Sequence, residues 1–363
     1  MRFLHTADWQ IGMKAAHLGE KAGAVRRKRL ETARRVVELA REREVDFILV
    51  AGDVFEHNGV SRVAVREVAR LLGSAGRPVY LIPGNHDPRE PGSVWEDPAW
   101  EAQPDVHLLL TPEPVPLPGG VLFPCPGSRG GSRRDPTAWI EAGGGTGIRV
   151  GMAHAGVEGV AGSDDADVVA RDAAHRAGLD YLALGHWHST ALYEVDGAVR
   201  MAYSGAHEAT AFGERDSGNV LIVEIEAPGA TPIVEPVHVG ALRWLSRDYE
   251  IAARGQLARV VQELETIPDP ETALVECALH GTFFADEAGL LSQLEKTLEE
   301  RFLYGRLHRD YFAPEPDWEE WLESLPSVYL REAGRLIRER AAGPEVCRRS
   351  LLLLYKATQE DTE

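Results

Sequence analysis

Short apolar runs recur along the first half of the chain, and each breaks off at a polar cluster. Residues 1–6 lead into Asp8, residues 47–51 into Gly52-Asp53, and residues 79–82 into Gly84-Asn85-His86-Asp87. Between these runs, residues 24–43 and 60–72 carry apolar side chains at the spacing that gathers them on one face of a helix. The alternation is a βαβαβ pattern and predicts an α/β sheet. Such sheets bind ligands beyond the carboxyl ends of their strands, which is where all three clusters fall.

Residues 88–147 are rich in proline, glycine and charge, and predict loops with short strands at 106–110 and 121–124. Regular patterning returns with a strand at 148–153, a helix near 165–177 and a strand at 181–184. Further β segments follow at 192–195, 199–203 and 220–225. The two halves together predict two packed sheets flanked by helices. After Pro228 the pattern changes to a helix near 256–266, a strand at 273–279, a helix near 286–300 and a strand at 305–311, a small αβαβ domain. From Trp318 onward the chain is helical and amphipathic, with Trp318, Trp321, Leu322, Leu325, Tyr329, Ala333, Leu336 and Ile337 spaced near three and four. The expected division is 1–240, 241–315 and a helical tail at 316–363.

Composition narrows the function classes. The 363 residues are 44% hydrophobic and 26% charged, as in a soluble globular protein. Acidic residues outnumber basic ones by 57 to 39, a net charge of −18 that opposes long-range attraction to nucleic acid. Any DNA contact must therefore use local basic patches, metals or a partner. Cys125, Cys277 and Cys347 are far apart and lack the paired spacing of a zinc or redox motif, which suits thiols in a reducing cytoplasm. Met1 runs straight into a segment that already carries site chemistry, leaving no room for a cleaved signal peptide. The apolar runs at 47–51 and 351–355 are too short to span a bilayer, so a cytoplasmic location without membrane contact is expected.

Each polar cluster alone reads as a turn former or a helix cap. In order they say more: Asp8 with Gln10, Gly52-Asp53, Gly84-Asn85-His86-Asp87, His154, and Gly185-His186-Trp187-His188 each follow a separate predicted strand. One sheet edge would then gather carboxylates, amides and imidazoles. This mixture of oxygen and nitrogen donors suits octahedral manganese, iron or magnesium better than closed tetrahedral zinc. A shared carboxylate can bridge two ions about 4 Å apart, the arrangement that clamps a phosphate and activates water.

The order Asp-x-Gln, Gly-Asp, Gly-Asn-His-Asp, a lone His and Gly-His-x-His resembles the calcineurin-like metallophosphoesterases, whose usual first motif is Asp-x-His. Residues 5–9 and 52–55, Tyr203-Ser204-Gly205 and Phe212-Gly213-Glu214 narrow the resemblance to the SbcD-type DNA repair nucleases. The implied fold is a two-sheet αββα sandwich with a small αβαβ capping domain and a helical tail. The resemblance implies one metal ion held by Asp8, Gln10, Asp53 and His188, and a second held by Asp53, Asn85, His154 and His186, with manganese expected first and iron or magnesium as alternatives. His86 would act on the scissile phosphate. Glu56 stands where a related carboxylate orients that histidine, and equally reads as a solvated loop residue. Gln10 departs from the family's histidine and offers a weaker, neutral ligand.

The implied activity is hydrolysis of DNA phosphodiester bonds, by exonuclease and endonuclease cuts, together with an SbcC-like coiled-coil ATPase captured by the C-terminal helices. A second copy of the chain is a further expected partner. Two alternatives use the same motifs: a phosphodiesterase or phosphatase for a small nucleotide or other phosphoester, and a non-catalytic DNA-binding scaffold suggested by Gln10. His5 reads as core, and His17, His57, His175 and His308 lack partners at ligand spacing. Arg26, Arg27, Lys28, Arg29, Arg34 and Arg35 read as a solvated or paired helix face. Arg129, Arg133 and Arg134, among glycines, are better candidates for contact with a DNA backbone. Trp318 and Trp321 could anchor a partner or equally pack onto the domain.

Overall fold

The computed structural model describes residues 1–128, 130, 134–143, 146–159, 167–341 and 343–360. It divides into two compact units, Met1–Leu242 and Arg243–Glu363.

The first unit holds two six-stranded sheets. One runs in the order Ile233–His238, Asn219–Glu224, Arg2–Thr6, Phe47–Ala51, Val79–Ile82, Val106–Leu108; the other runs Ala191–Val195, Ala198–Tyr203, Tyr181–Gly185, Ile148–His154, Gly120–Cys125, Val115–Leu117. Side chains alternate across a strand, so each strand of the first sheet feeds two cores. Leu4, Ile48, Val50, Val79 and Leu81 pack with residues of the Ala22–Glu42 and Arg62–Gly73 helices. Their neighbours Phe3, Phe47, Leu49, Tyr80 and Ile82 share a core with Leu122, Val150, Met152, Tyr181 and Ala183 of the second sheet. On that sheet's far side, Leu182, Leu184 and Tyr203 pack with Ala173 and Ala174 of the short Ala173–Arg176 helix. The result is the expected αββα sandwich.

Parallel pairing aligns the strand ends that matter. Thr6 is opposite Val50, Ala51 opposite Ile82, and His154 opposite Gly185. The polar clusters therefore emerge side by side.

Several elements differ from expectation, among them the strand Val115–Leu117, which pairs with Gly120–Cys125. The helix near 165–177 is confined to Ala173–Arg176, because Val168–Val169 pairs as a short strand with Gly156–Val157, and residues 160–166 lie outside the described residues. Ile233–His238 is an additional strand at one end of its sheet order, a position that tolerates Pro236. In the second unit, Arg243–Ile251 adds a strand ahead of the expected αβαβ segment. With Ala273–Phe283 and Tyr304–Pro314 it forms a three-stranded parallel sheet. Its exposed, alternating polar face hides it from any search for apolar runs.

The helices Gln256–Glu265 and Ala288–Arg301 bury Leu257, Val261, Leu264, Leu294 and Leu298 with Val275, Cys277 and Leu279 of the central strand. The tail forms Trp318–Ser324, Val328–Arg340 and Pro344–Glu360, joined around a small core of Leu322, Leu325 and Leu351. Trp318, Trp321 and Tyr355 meet edge to face, with ring centroids 5.3–6.2 Å apart, so these tryptophans pack on their own helices. Among the described residues, no helix is long and apolar enough to cross a membrane.

Candidate metal centre

The centre is built by loops that leave parallel strands and hold one another through backbone hydrogen bonds. Asp8 N donates to Gly52 O at 3.1 Å, Gln10 N to Asp53 O at 3.0 Å, and Ile11 N to Val54 O at 2.9 Å. This lacing holds strained conformations: Asp8, Gln10, Asp53 and His186 have φ of 54°, 47°, 51° and 107°. Such values cost about 1–3 kcal/mol each for residues with side chains, and they persist only where the surroundings over-determine them. Close approach is required as well. A Cβ on Gly84 would lie 1.9 Å from Asp53 Oδ1, and one on Gly52 would lie 2.3 Å from His154 Nδ1.

Asp53 stands in the middle. Its Oδ1 accepts from His86 N at 2.9 Å, and its Oδ2 accepts from Gln10 Nε2 at 2.9 Å and lies 3.5 Å from His154 Nε2. His154 Nδ1 donates to Ala51 O at 2.9 Å, which aims Nε2 at Asn85 Oδ1, 2.8 Å away. Asn85 Oδ1 also lies 3.3 Å from His186 Nδ1, and His186 N donates to Asp8 Oδ1 and Oδ2 at 3.0 and 3.1 Å. The His154 and His186 rings meet edge to face at 5.5 Å. Gln10, Asp53, His154, Asn85, His186 and Asp8 thus form one connected cluster. Donor atoms of Asp8, Asp53 and His154 all lie within 4.8 Å of one another.

The donor set fits divalent cations. Gln10 is 1% exposed and its Oε1 has no hydrogen-bond partner among the described residues, although an unmet buried acceptor costs about 1–3 kcal/mol. Burial alone would lower the His154 pKa, yet the neighbouring Asp53 and Asp8 carboxylates raise it well above the ordinary histidine value. Because Nδ1 already donates to Ala51, that extra proton sits on Nε2, the atom a cation would take. Burial raises the Asp8 carboxyl to about 6, with His154 and His188 opposing the rise. Burial would raise the Asp53 carboxyl, but the charged His154 ring holds it well below the ordinary carboxylate value, so these carboxylates favour a positive charge at the Nε2 position.

His188 connects through its other face. Its Nδ1 donates to Glu214 Oε1 at 2.9 Å and lies 3.1 Å from Thr210 Oγ1, while Thr210 N and Oγ1 both donate to the Glu214 carboxylate. A carboxylate behind an imidazole fixes its tautomer and leaves Nε2 to a ligand. Glu214 belongs to the Phe-Gly-Glu segment singled out in the sequence, but its role became visible only with this contact.

His86 is exposed, and its Nδ1 donates to Glu56 O at 3.1 Å. The oxygen that orients His86 is therefore the backbone carbonyl of Glu56, and its half-buried carboxylate does not make that bond. Arg134 is exposed, whereas Arg129 and Arg133 lie outside the described residues.

Two residues named in the sequence, Asp87 in its polar cluster and Arg29 in the basic run, have supporting roles that the sequence did not assign. Asp87 is fully buried and accepts from Phe55 N at 2.9 Å and Gly84 N at 2.7 Å, clasping the Asp53 loop to the Asn85 loop. Arg29, expected on a solvated or paired face, is 1% exposed. Its guanidinium donates to Trp9 O at 2.5 Å, Asp8 O at 3.3 Å, Glu208 O at 2.9 Å and Ala209 O at 3.1 Å. It ties the Asp8–Gln10 loop to the segment that leads into Thr210 and Glu214. Helical spacing held the signal, because Arg29 lies on the buried face with Val25, Ala33 and Val36. The rest of the basic run is partly paired on the surface, as in Lys28 with Glu31, Arg34 with Glu67 and Arg35 with Glu42.

Comparison with known proteins agrees with this geometry. The model of the calcineurin-like phosphoesterase family matches residues 1–190 of the 363-residue chain, just over half of it. The uncharacterized metallophosphoesterase YhaO of Bacillus subtilis (strain 168) is 27% identical over 200 residues, covering 52% of this chain and 48% of YhaO. The DNA double-strand break repair protein Mre11 of Methanopyrus kandleri is 26% identical over 315 residues, covering 75% of this chain and 66% of that protein. The matched segments thus span from about half to just under two thirds of these relatives' lengths. Among solved structures, TT1561 of Thermus thermophilus aligns with a TM-score of 0.45 at 11% identity, over 66% of this chain and 98% of that one. The family match takes in Asp8, Asp53, Asn85, His154, His186 and His188 together, and the chain belongs to the calcineurin-like phosphoesterase family.

Proposed function

We propose that this chain is a metal-dependent phosphodiesterase that cuts DNA, working in the cytoplasm as the nuclease partner of an SbcC-like coiled-coil ATPase in DNA repair. The observation that carries the phosphoesterase reading is the connected cluster around Asp53, whose donors come from separate strand ends. Support for DNA over a small phosphoester comes from the likeness to Mre11, named as a double-strand break repair protein, over 75% of the chain. That length exceeds the region matched by the family model.

In this reading Asp8, Gln10, Asp53 and His188 would hold one divalent ion, and Asp53, Asn85, His154 and His186 the other, with manganese taken first from the resemblance to SbcD-type nucleases and iron or magnesium as alternatives; the mixed donor set favours all three over zinc. Such ions supply Lewis acidity to a phosphoryl oxygen and a nucleophile from water at neutral pH. The protein's own part is orientation and proton handling. Glu56 O accepts from His86 Nδ1, and His86 N is tied to Asp53, so in the imidazolium form the Nε2–H is left to pass its proton to the departing oxygen, leaving the neutral ring protonated on Nδ1. Glu214 holds His188 in one tautomer, and exposed Arg134 is the residue assigned to the DNA backbone. The scaffold reading is disfavoured by the many donors retained around Gln10.

Incubating the purified chain with manganese and end-labelled DNA, alongside methyl p-nitrophenyl phosphate, tests the reading. DNA cleavage abolished by a chelator is the expected result. Hydrolysis of the small diester alone would move the assignment to a small-molecule phosphodiesterase, and binding of DNA without hydrolysis of either would move it to a scaffold.

A further inference from the structure

His186 and His188 also line a cleft of about 580 Å³. A phosphate seated among oxygen and nitrogen ligands has no need of aromatic neighbours, yet Trp187 and Phe212 line this space. Both are half-buried. Trp187 packs against the apolar cluster that holds Leu182, Leu184 and Tyr203, which anchors its indole while part of it stays open to the cleft.

Both rings are tied to the same imidazole. Trp187 sits between the two ligand histidines in sequence, and Phe212 lies two residues before Glu214, whose carboxylate holds His188 Nδ1. Both rings therefore lie on segments that are anchored at the His188 imidazole and line one cleft. Exposed Arg215 completes the lining with a cation, and a flat aromatic surface beside a phosphate site and an arginine matches one kind of group. A nucleobase presents a π face whatever its identity, and only an unpaired, unstacked base has that face free.

We propose that Trp187 and Phe212 form a stacking subsite for an unpaired nucleobase of the strand whose phosphate enters the metal centre. The proposal rests on the nuclease reading above and adds that the strand is read as single-stranded next to the cut. It also answers the charge problem, because a chain with a net charge of −18 gains little from general attraction to DNA. Stacking supplies affinity that depends weakly on salt.

The test compares the full chain with Trp187→Ala and Trp187→Phe. Binding is read by fluorescence anisotropy of a labelled oligothymidylate and of the same strand carrying abasic units, with calcium in place of manganese. The wild type is expected to bind the base-bearing strand about tenfold more tightly than the abasic one. Trp187→Ala should bring the two dissociation constants within about twofold of each other, and Trp187→Phe should restore most of the preference. Equal binding of both strands by the wild type overturns the subsite, as does a Trp187→Ala protein that weakens on both strands equally. Cleavage in manganese is scored separately. A base preference that vanishes in Trp187→Ala without any DNA cleavage would sink the nuclease reading and leave the subsite standing.

Discussion

Asp53 reaches three parts of the centre through its two oxygens, meeting the His86 amide, the Gln10 amide and the His154 ring. Asp53→Ala should lower hydrolysis on the order of a thousandfold or more while the protein stays folded, measured as turnover at saturating manganese with circular dichroism as the control. Retained turnover would remove Asp53 from the bridging position. Gln10 is the informative departure, since its Oε1 is buried without a partner among the described residues while its Nε2 spends itself on Asp53. Imidazole is the stronger ligand, so Gln10→His should lower the manganese concentration for half-maximal activity by on the order of tenfold. An unchanged titration would place Gln10 outside the coordination sphere. Glu214→Ala should weaken metal binding by about 10–100-fold by freeing the His188 ring, and calorimetric titration of manganese reads this directly.

At the scale of elements, the Ala22–Glu42 helix does more than cover a sheet. Through Arg29 it fixes the loop after the first strand and the segment before Glu214, two pieces of chain that are remote in sequence. Burial lowers the guanidinium pKa to about 10, against the pull of Glu208 and other carboxylates, so it remains charged at neutral pH. Arg29→Met keeps the length of the side chain and strands buried carbonyls. A loss of about 3 kcal/mol in unfolding free energy is expected from urea titration, together with weaker manganese binding. A stable variant with unchanged metal affinity would show that the Asp8 loop holds itself.

On the whole-molecule scale, the N-terminal unit carries the chemistry and the C-terminal unit carries exposed apolar surface. Both units expose some apolar side chains, Val63 and Ile233 in the first among them; in the tail, Tyr329 is 88% and Leu353 is 64% exposed, whereas Trp318 and Trp321 are engaged with Tyr355. Substitution at exposed positions costs little stability, about 0.5 kcal/mol or less. Tyr329→Glu combined with Leu353→Glu should therefore leave the melting temperature and hydrolysis of a simple diester near wild type. Under the proposed partnership, capture of an SbcC-like coiled-coil ATPase in a pull-down should be lost, and undiminished capture would move the proposed partner site elsewhere.

The sequence by itself determined the α/β alternation, the two packed sheets and the strand-end position of every cluster from Asp8 to His188. These depend on local periodicity and on glycine at tight turns, which a linear pattern records. Tertiary structure alone decided what stands behind the cluster. Arg29 looks like its basic neighbours until the helix is packed, and Glu214 looks like any loop acid until its segment meets His188. Glu56 acts through a carbonyl that no side-chain pattern encodes. The Arg243–Ile251 strand escaped for a related reason: its alternating exposed polar face carries no apolar run, and pairing with Ala273–Phe283 creates it. Ligand identity is written in residue type and order, whereas ligand support is made by contacts between segments far apart in the chain. Burial and hydrogen bonding can select those contacts only once the chain has folded.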